Sequence, residues 1–235
     1  MKKSTVDEIR ARFDKDVERF SQLETGQVAA MDSAFCMGLI AETAAAVSPQ
    51  AKDLLDIGCG AGNYTLKLLE RIPGLNVTLL DLSLPMLERA KARVSAAGGK
   101  VVATLQADVR EVDLGEARFD TILAAAVLHH LRDESEWRAV FAKLYRALKP
   151  GGALWIYDMV AHELPAVQTL QSEAYGQYLE DLNGKEYRAT VFAYTEKEDT
   201  PRPVTFQIEQ LRAAGFRTVE LLHKRGPFAA FGALK

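Results

Sequence analysis

The first fifty residues place apolar side chains at helical spacing. Five of them recur at steps of three and four: Val6, Ile9, Phe13, Val17 and Phe20. This pattern predicts one amphipathic helix over residues 4–21, with Ser4 as a plausible N-cap. A second, more apolar helix is predicted over 28–47, before the break at "SPQAK". Residues 1–50 therefore form a predicted N-terminal helical lid.

From residue 53 the pattern changes to short apolar runs that alternate with helical stretches. The runs are "DLLDIG", "NVTLLD", "VVATLQAD", "FDTILAAA" and "GALWIYDMV", and helices are predicted over 63–71, 84–97 and 134–148. Runs this uniformly apolar are typical of strands that are covered on both faces, as in parallel sheets. The alternation predicts an α/β fold with a doubly wound sheet.

The periodicity weakens over residues 161–203, which we expect to be an insertion over the site. A further helix is predicted over 204–214, ending at Gly215. Two last strands, about 217–224 and 228–235, are separated by a turn that suits an antiparallel hairpin.

Composition narrows the class of protein. With 235 residues, 48% of them hydrophobic, the chain can bury a sizeable core. The formal net charge of −3 disfavours non-specific binding to nucleic acid or to an anionic membrane. Only Cys36 and Cys59 are cysteines, and the charged N-terminus does not resemble a secretory signal. We therefore expect a cytoplasmic protein without a membrane span.

The segment "LLDIGCGAGNYTLKLL", residues 54–69, carries the first chemical signal. A strand, a glycine-rich turn and a helix bring bare backbone and N–H groups close to a ligand. A dinucleotide fingerprint starting at Gly58 would need glycine at position 63, which is Asn63. A P-loop lysine is also missing, which leaves nucleotide triphosphate hydrolysis without support.

Two further acids follow predicted strands. Asp81 ends the second strand, where its carboxylate can accept hydrogen bonds from both hydroxyls of a ribose. Asp108 follows the third strand at the height where an adenine ring would lie. With Asp56, all three acids lie at carboxyl ends of parallel strands, the edge at which open α/β sheets bind ligands.

Five motifs carry a resemblance to a known family: "DIGCGAGNYT", "LLDLSLPML", "LQADV", "FDTILAAAVLHHL" and "LKPGGAL". In this order and spacing they resemble class I S-adenosylmethionine-dependent methyltransferases, and the tail is similar to the last helix and hairpin of that fold. The resemblance implies a seven-stranded, mostly parallel sheet of order 3-2-1-4-5-7-6 with a reversed last strand. It also implies a Rossmann-like domain over 51–235 that contains the substrate-cap insertion 161–203.

The same resemblance implies S-adenosylmethionine as cofactor and assigns its contacts. Asp56 would approach the methionine amino group, and Asp81 would bind the ribose hydroxyls. The remaining implied contacts are Gly58, Cys59 and Gly60 on methionine and ribose, Leu82, Met86, Asp108 and Val109 on adenine, and Ala124 and Ala125 on the methionine portion.

Candidates for the acceptor end follow the fourth and fifth strands. His129 and His130 could act as a general base near the transferred methyl group or could only hydrogen-bond the loop. Asp158 has similar standing as a catalytic candidate. Tyr157, His162 and Arg188 are candidate substrate contacts, although Arg188 could instead pair with surface carboxylates. The run "EKED" at 196–199 is expected to be a solvated loop.

The leading functional hypothesis is in-line methyl transfer to a small-molecule acceptor, with S-adenosylhomocysteine as product. One alternative is an enzyme related to wobble-uridine modification of tRNA, either a methyltransferase or a carboxy-S-adenosylmethionine synthase. Another is a non-catalytic protein that binds S-adenosylmethionine or S-adenosylhomocysteine. We expect no metal, since no Asp, Asp, Asn cluster is evident, and either a monomer or a homodimer.

Overall fold

The computed structural model describes residues 2–23 and 25–235, so that Met1 and Glu24 of the predicted lid lie outside it. Seven strands form one sheet in the order β3-β2-β1-β4-β5-β7-β6. They are β1 Asp53–Ile57, β2 Asn76–Asp81, β3 Lys100–Gln106, β4 Phe119–Ala125, β5 Leu148–Met159, β6 Thr218–Arg225 and β7 Phe228–Leu234. Strand β7 runs antiparallel to both β5 and β6. The predicted α/β class, strand order and reversed last strand are confirmed.

Among the described residues, eight α-helices accompany this sheet. They are α1 Val6–Phe13, α2 Val17–Phe20, α3 Ser33–Val47, α4 Asn63–Leu69, α5 Leu84–Ala96, α6 Glu134–Ala147, α7 Pro165–Glu198 and α8 Val204–Ala214. A short 3-10 helix, Leu128–His130, follows β4. Within the described ranges, no helix has both the length and the apolar character needed to cross a membrane.

The central strands β1, β2 and β4 are buried on both faces, as their uniformly apolar sequences predict, whereas the edge strands β3 and β6 are partly exposed. Successive residues of a strand point to opposite faces, so Leu54 joins the core under α3, α4 and α5, while Leu55 joins the core under α6 and α8. Both leucines are fully buried. Helices on the two faces leave the carboxyl edge of the parallel strands open, and the site forms there.

The N-terminal helix predicted over 4–21 is in fact two helices. Helix α1 begins after Thr5, which forms a capping box with Glu8, so Ser4 is not the N-cap. The chain turns at 14–16, where Asp14 accepts a hydrogen bond from the Ser83 hydroxyl at 2.6 Å. That contact joins residues far apart in the chain, so the local spacing of apolar residues does not predict it. The second predicted helix, 28–47, begins only at Ser33.

The insertion 161–203 is mostly helical. Helix α7 is interrupted at Asn183 and Gly184, which have non-helical backbone angles. Its two halves pack against each other: an added Cβ on Gly176 would lie 2.6 Å from the Arg188 guanidinium carbon, and the rings of Tyr175 and Phe192 are 5.8 Å apart. Because this helix covers the site and also packs on itself, its apolar residues form no single stripe, and its periodicity is weak.

Candidate functional site

In the glycine-rich loop between β1 and α4, position 58 requires glycine for two reasons. Gly58 has φ +61°, a conformation that costs other residues free energy, and an added Cβ there would lie 2.7 Å from the Val127 side chain. The Cys59 N–H donates to the Leu80 carbonyl oxygen at 3.0 Å, which fixes the loop against β2. The backbone at this point is therefore bare and held in place.

Asn63, which stands where a dinucleotide fingerprint would have glycine, holds this loop to its surroundings. Its amide nitrogen donates to the Phe20 carbonyl oxygen at 2.8 Å. Its amide oxygen accepts from Arg93 at 2.7 Å, and Arg93 also donates to the Ala61 carbonyl oxygen at 2.6 Å. The glycine loop is thus tied to the N-terminal segment through one side chain.

Two carboxylates line the adjoining strand ends. Asp81 accepts hydrogen bonds from the backbone N–H groups of Gly60 and Ser83, at 2.8 and 2.9 Å, and burial raises its pKa. Asp108 is ion-paired with Arg110 at 2.6 Å. Burial raises the pKa of Asp108, but the Arg110 hydrogen bonds outweigh that effect, so its pKa is lowered. Both acids face the same cavity.

This cavity, of about 200 Å³, runs along the carboxyl edge of the sheet. One end is lined by Gly58, Gly60, Asp81, Leu82, Met86, Asp108, Val109 and Ala125. The other end is lined by Val6, Ile9, Arg12, Phe13, His129, His130, Leu131, Met159, Tyr175, Tyr194, Asp199 and Phe228. The second set comes from α1, the segment after β4, the end of β5, the start of β7, and α7 with the residue that follows it, so the cavity is lined by parts far apart in the chain.

A smaller recess of about 30 Å³ adjoins the glycine loop and is lined by Asp56, Cys59, Asn63 and Tyr64, among others. Asp56 accepts a hydrogen bond from the Thr65 hydroxyl at 2.6 Å. Burial raises its pKa to about 7. Burial also raises the pKa of Cys59, which is consequently a protonated thiol at neutral pH.

A polar cluster lies at the far end of the cavity. The His129 N–H donates to Asp158 at 3.1 Å, and Nδ1 of His129 contacts the same carboxylate. Nε2 of His129 lies 3.6 Å from an oxygen of Asp199, and Nδ1 of His130 lies 3.2 Å from that oxygen. Burial lowers the pKa of His129, but Asp158 and Asp199 outweigh it and raise that pKa to about 9. Burial and the nearby His129 lower the pKa of His130.

Comparison with known proteins identifies the family. A family model described as a methyltransferase domain matches residues 54–152. Demethylmenaquinone methyltransferase of Lactococcus lactis is 30% identical over 188 residues, which cover 77% of this chain and 73% of that protein. The chain belongs to the class I S-adenosylmethionine-dependent methyltransferases. The family predicted from the motifs is confirmed.

Other relatives of this methyltransferase differ in what their names describe. Carboxy-S-adenosyl-L-methionine synthase of Shewanella loihica is 28% identical over 194 residues, covering 80% of this chain and 78% of that protein. An uncharacterized methyltransferase of Mycobacterium tuberculosis is 35% identical over 111 residues, and the match spans only 52% of its length.

The fold also matches a solved structure. The 1,6-didemethyltoxoflavin-N1-methyltransferase of Burkholderia thailandensis, solved with its acceptor and S-adenosylhomocysteine, aligns with a TM-score of 0.62 and 21% identity. The alignment covers 99% of this chain and 91% of that one. At this identity the likeness shows the fold alone.

The structure gathers most of the cofactor contacts predicted for the methyltransferase. Eight of them line the main cavity: Gly58, Gly60, Asp81, Leu82, Met86, Asp108, Val109 and Ala125. Asp56 and Cys59 line the recess beside it. Ala124 is buried in the core on the opposite face of the sheet, because neighbouring residues of a strand point in opposite directions.

The catalytic candidates are also gathered at one place, whereas the substrate candidates are not. His129 and His130 line the cavity, and Asp158 is fully buried behind His129. Tyr157 is fully buried and donates to the Met31 carbonyl oxygen at 2.6 Å. His162 contacts Lys224 at 2.9 Å, and Arg188 pairs with Glu173 at 2.8 Å. None of the latter three residues lines the cavity, although the Tyr157 ring stacks on Phe228, which does, at 5.8 Å between ring centroids.

Two acids of the "EKED" run were missed as site residues. The expectation of a solvated loop is wrong, since Glu198 and Asp199 are each only 6% exposed. Arg12 donates to both oxygens of Glu198 at 2.9 Å, and the Thr200 N–H donates to the His129 carbonyl oxygen at 2.7 Å. A run of charged residues predicts a solvent-exposed segment. These two acids are buried because the end of α7 packs near the carboxyl edge of the sheet, which the local sequence does not show.

Proposed function

We propose that this protein transfers a methyl group from S-adenosylmethionine to a small-molecule acceptor. The observation that carries the proposal is one cavity that joins the glycine loop and Asp81 to the polar cluster at His129 and Asp199. Methyl transfer requires nucleophile, methyl carbon and sulfur to lie in line with water excluded. A single cavity with a nucleoside end and a polar end suits that arrangement.

At the nucleoside end, each implied contact has a physical reason. The Asp81 carboxylate is held by two backbone N–H groups and retains lone pairs for ribose hydroxyls. Leu82, Met86 and Val109 provide apolar surface for the adenine ring. The buried Asp56 carboxylate lines the recess beside the cavity, and a methionine ammonium group there would stabilise its charged form.

At the acceptor end, the surroundings are mostly apolar with a polar cluster at one side. Phe13, Tyr175 and Phe228 offer aromatic walls, while His129 and His130 offer nitrogen atoms. Asp158 positions His129 from behind. Residues of α1 and α7 close this end, which supports their proposed roles as lid and substrate cap and favours a small molecule over tRNA as acceptor.

The two alternative functions receive less support. A carboxylated cofactor would need a cation beside the methyl position, and Arg188, the candidate for that role, is paired with Glu173. A non-catalytic binder would have no need for a second cavity end with histidines and an aspartate.

The test is turnover. The purified protein is incubated with S-adenosylmethionine and a panel of small acceptors bearing hydroxyl, amine or thiol groups, and release of S-adenosylhomocysteine is measured. We expect release with at least one acceptor. Silence across the panel despite cofactor binding would favour the binder. A carboxylated nucleoside found by mass spectrometry in the purified protein would favour the synthase.

A further inference from the structure

Three potential metal ligands meet at the acceptor end of the cavity. One ligand atom from each of His129, His130 and Asp199 lies within 4.8 Å of the others. Two of the residues follow β4 and the third ends α7, so the trio exists only in the folded chain. All three line the cavity, which leaves one side of the group open to an acceptor.

The distances within this trio fit a tetrahedral ion. Ligand atoms bound to zinc at 2.0–2.1 Å stand about 3.4 Å apart when the geometry is tetrahedral. The Asp199 oxygen is 3.6 Å from Nε2 of His129 and 3.2 Å from Nδ1 of His130. The two values lie on either side of the expected spacing, and the two ring nitrogens lie within 4.8 Å of each other, so side-chain adjustment brings all three atoms to one ion.

The residues around the trio already hold it in this arrangement. Asp158 contacts Nδ1 of His129, which leaves Nε2 directed to the cavity, the arrangement found behind histidine ligands of metals. The Asp199 N–H donates to the Thr195 carbonyl oxygen at 2.9 Å, and the neighbouring Thr200 N–H donates to the His129 carbonyl oxygen. His130, by contrast, is poorly satisfied, since its Nε2 is buried without a partner among the described residues.

We propose that His129, His130 and Asp199 bind a divalent transition-metal ion of the zinc class, with Asp158 orienting His129. Two imidazoles and one carboxylate form a donor set suited to zinc, and three protein ligands leave the fourth position for substrate. This departs from the expectation of no metal, which considered only an Asp, Asp, Asn cluster.

The site deepens the proposed function, on which it rests, by naming the acceptor class as a hydroxyl compound. A hydroxyl compound that binds at the open position loses its proton to solvent more readily as it enters, before water is excluded, because the ion stabilises the resulting anion. That oxygen then forms the bond to the methyl carbon while the carbon–sulfur bond breaks. The bonding electrons stay on sulfur, which turns the sulfonium into the neutral thioether of S-adenosylhomocysteine.

Metal titration tests the proposal without an acceptor. The full chain, free of any histidine tag and stripped with a chelator, is titrated with Zn²⁺ by calorimetry and with Co²⁺ by visible absorption. We expect one ion per chain, and the intense absorption bands of four-coordinate Co²⁺. Asp199→Asn and His130→Gln should lose the bands, and Asp158→Asn should weaken binding about 10- to 100-fold.

His223→Gln is the matched control, because His223 also pairs with an aspartate, Asp32, at 2.9 Å but lies outside the cavity. It should bind the ion like the wild-type chain. Absence of binding by the wild-type chain would overturn the proposal, as would binding that persists in Asp199→Asn. Titration with S-adenosylhomocysteine on the same samples separates the outcomes, since intact cofactor binding leaves the proposed methyl transfer standing when the metal site fails.

Discussion

Gly58 combines a left-handed backbone conformation with a close approach to a side chain. Gly74 has the same conformation, φ +76°, but an added Cβ there would point into open space. Comparing Gly58 with Gly74 separates the free-energy cost of the backbone conformation from that of the steric clash, since the left-handed conformation costs an L-residue about 1–2 kcal/mol at either position.

We predict that Gly58→Ala destabilises the protein by more than Gly74→Ala and also weakens S-adenosylhomocysteine binding, whereas Gly74→Ala leaves binding unchanged. The clash with Val127 must move the loop that we propose to lie against the cofactor. Chemical unfolding and calorimetry on both variants check this. Equal losses of unfolding free energy, with binding intact in both, would show that the contact with Val127 is unimportant.

The raised pKa of Asp56 predicts that both stability and cofactor binding depend on pH. Its pKa rises from an ordinary value near 4 to about 7 because the side chain is buried. Between these values the folded chain holds a proton that the unfolded chain has lost, so this residue's contribution to stability falls as pH rises from about 4 to 7. Cofactor binding should show the opposite trend, because the ionised carboxylate is the form that meets an ammonium group.

We therefore predict that S-adenosylhomocysteine binds more tightly as pH rises toward 7. Its affinity should increase by up to about tenfold per pH unit below pH 7 and level off above it. Asp56→Asn should remove this part of the dependence, weaken binding at pH 8, and raise the free energy of unfolding there. Asp81, whose pKa is also raised, leaves a residual slope of the same sign. A variant with unchanged affinity and unchanged pH profile would contradict the role given to Asp56.

For individual residues, the sequence predicts those site positions that follow directly from the end of a strand. Asp56, Asp81 and Asp108 were predictable because carboxyl ends of parallel strands share one edge. Asp199 was not, since its place depends on the path of α7 rather than on a neighbouring motif. Tyr157 lies on a predicted strand, but its direction into the core depends on the layer that covers β5.

Helices α1 and α7 are joined by Arg12 and Glu198. The pair is largely shielded, with 27% and 8% of the side chains exposed, whereas the neighbouring pair of Arg10 and Asp7 is 42% and 80% exposed. Exposed ion pairs contribute little to stability, while a buried carboxylate that loses its partner is costly.

We predict that Arg12→Gln lowers the free energy of unfolding by about 1–3 kcal/mol, because Glu198 keeps its burial and loses its cation. Arg10→Gln, on the same helix, should change it by less than about 0.5 kcal/mol. Denaturant unfolding of the two variants measures the difference. If both changes are alike, the contact between lid and cap contributes nothing to stability.

Elements that obey one simple period were predictable, and elements shaped by tertiary contacts were not. Strands β1, β2 and β4 begin where their apolar runs begin. The division of the first helix into α1 and α2 coincides with the hydrogen bond between Asp14 and Ser83, a contact that no local pattern predicts. The apolar residues of helix α7 show no clear helical period because some of them face the site and others pack between the two halves of the helix.

On the scale of the whole molecule, the cavity exists only because three separate parts of the chain meet. The central sheet supplies the loop and the carboxylates, the N-terminal helices cover them, and α7 brings Asp199 to His129. Asn63 links the first two parts through Phe20, and Arg12 links the second and third.

The central claim is that a nucleoside lies across the strand ends with its ribose on Asp81. Calorimetric titration with S-adenosylhomocysteine tests it, using Asp81→Asn and, as the matched control, Asp113→Asn, an exposed aspartate that also accepts a backbone N–H, from Gly115 at 2.9 Å. We predict one site per chain, about 10- to 100-fold weaker binding in Asp81→Asn, from the loss of charge-assisted hydrogen bonds, and unchanged binding in Asp113→Asn. Absence of saturable heat in the wild-type chain, or equal affinity in Asp81→Asn, would contradict the account.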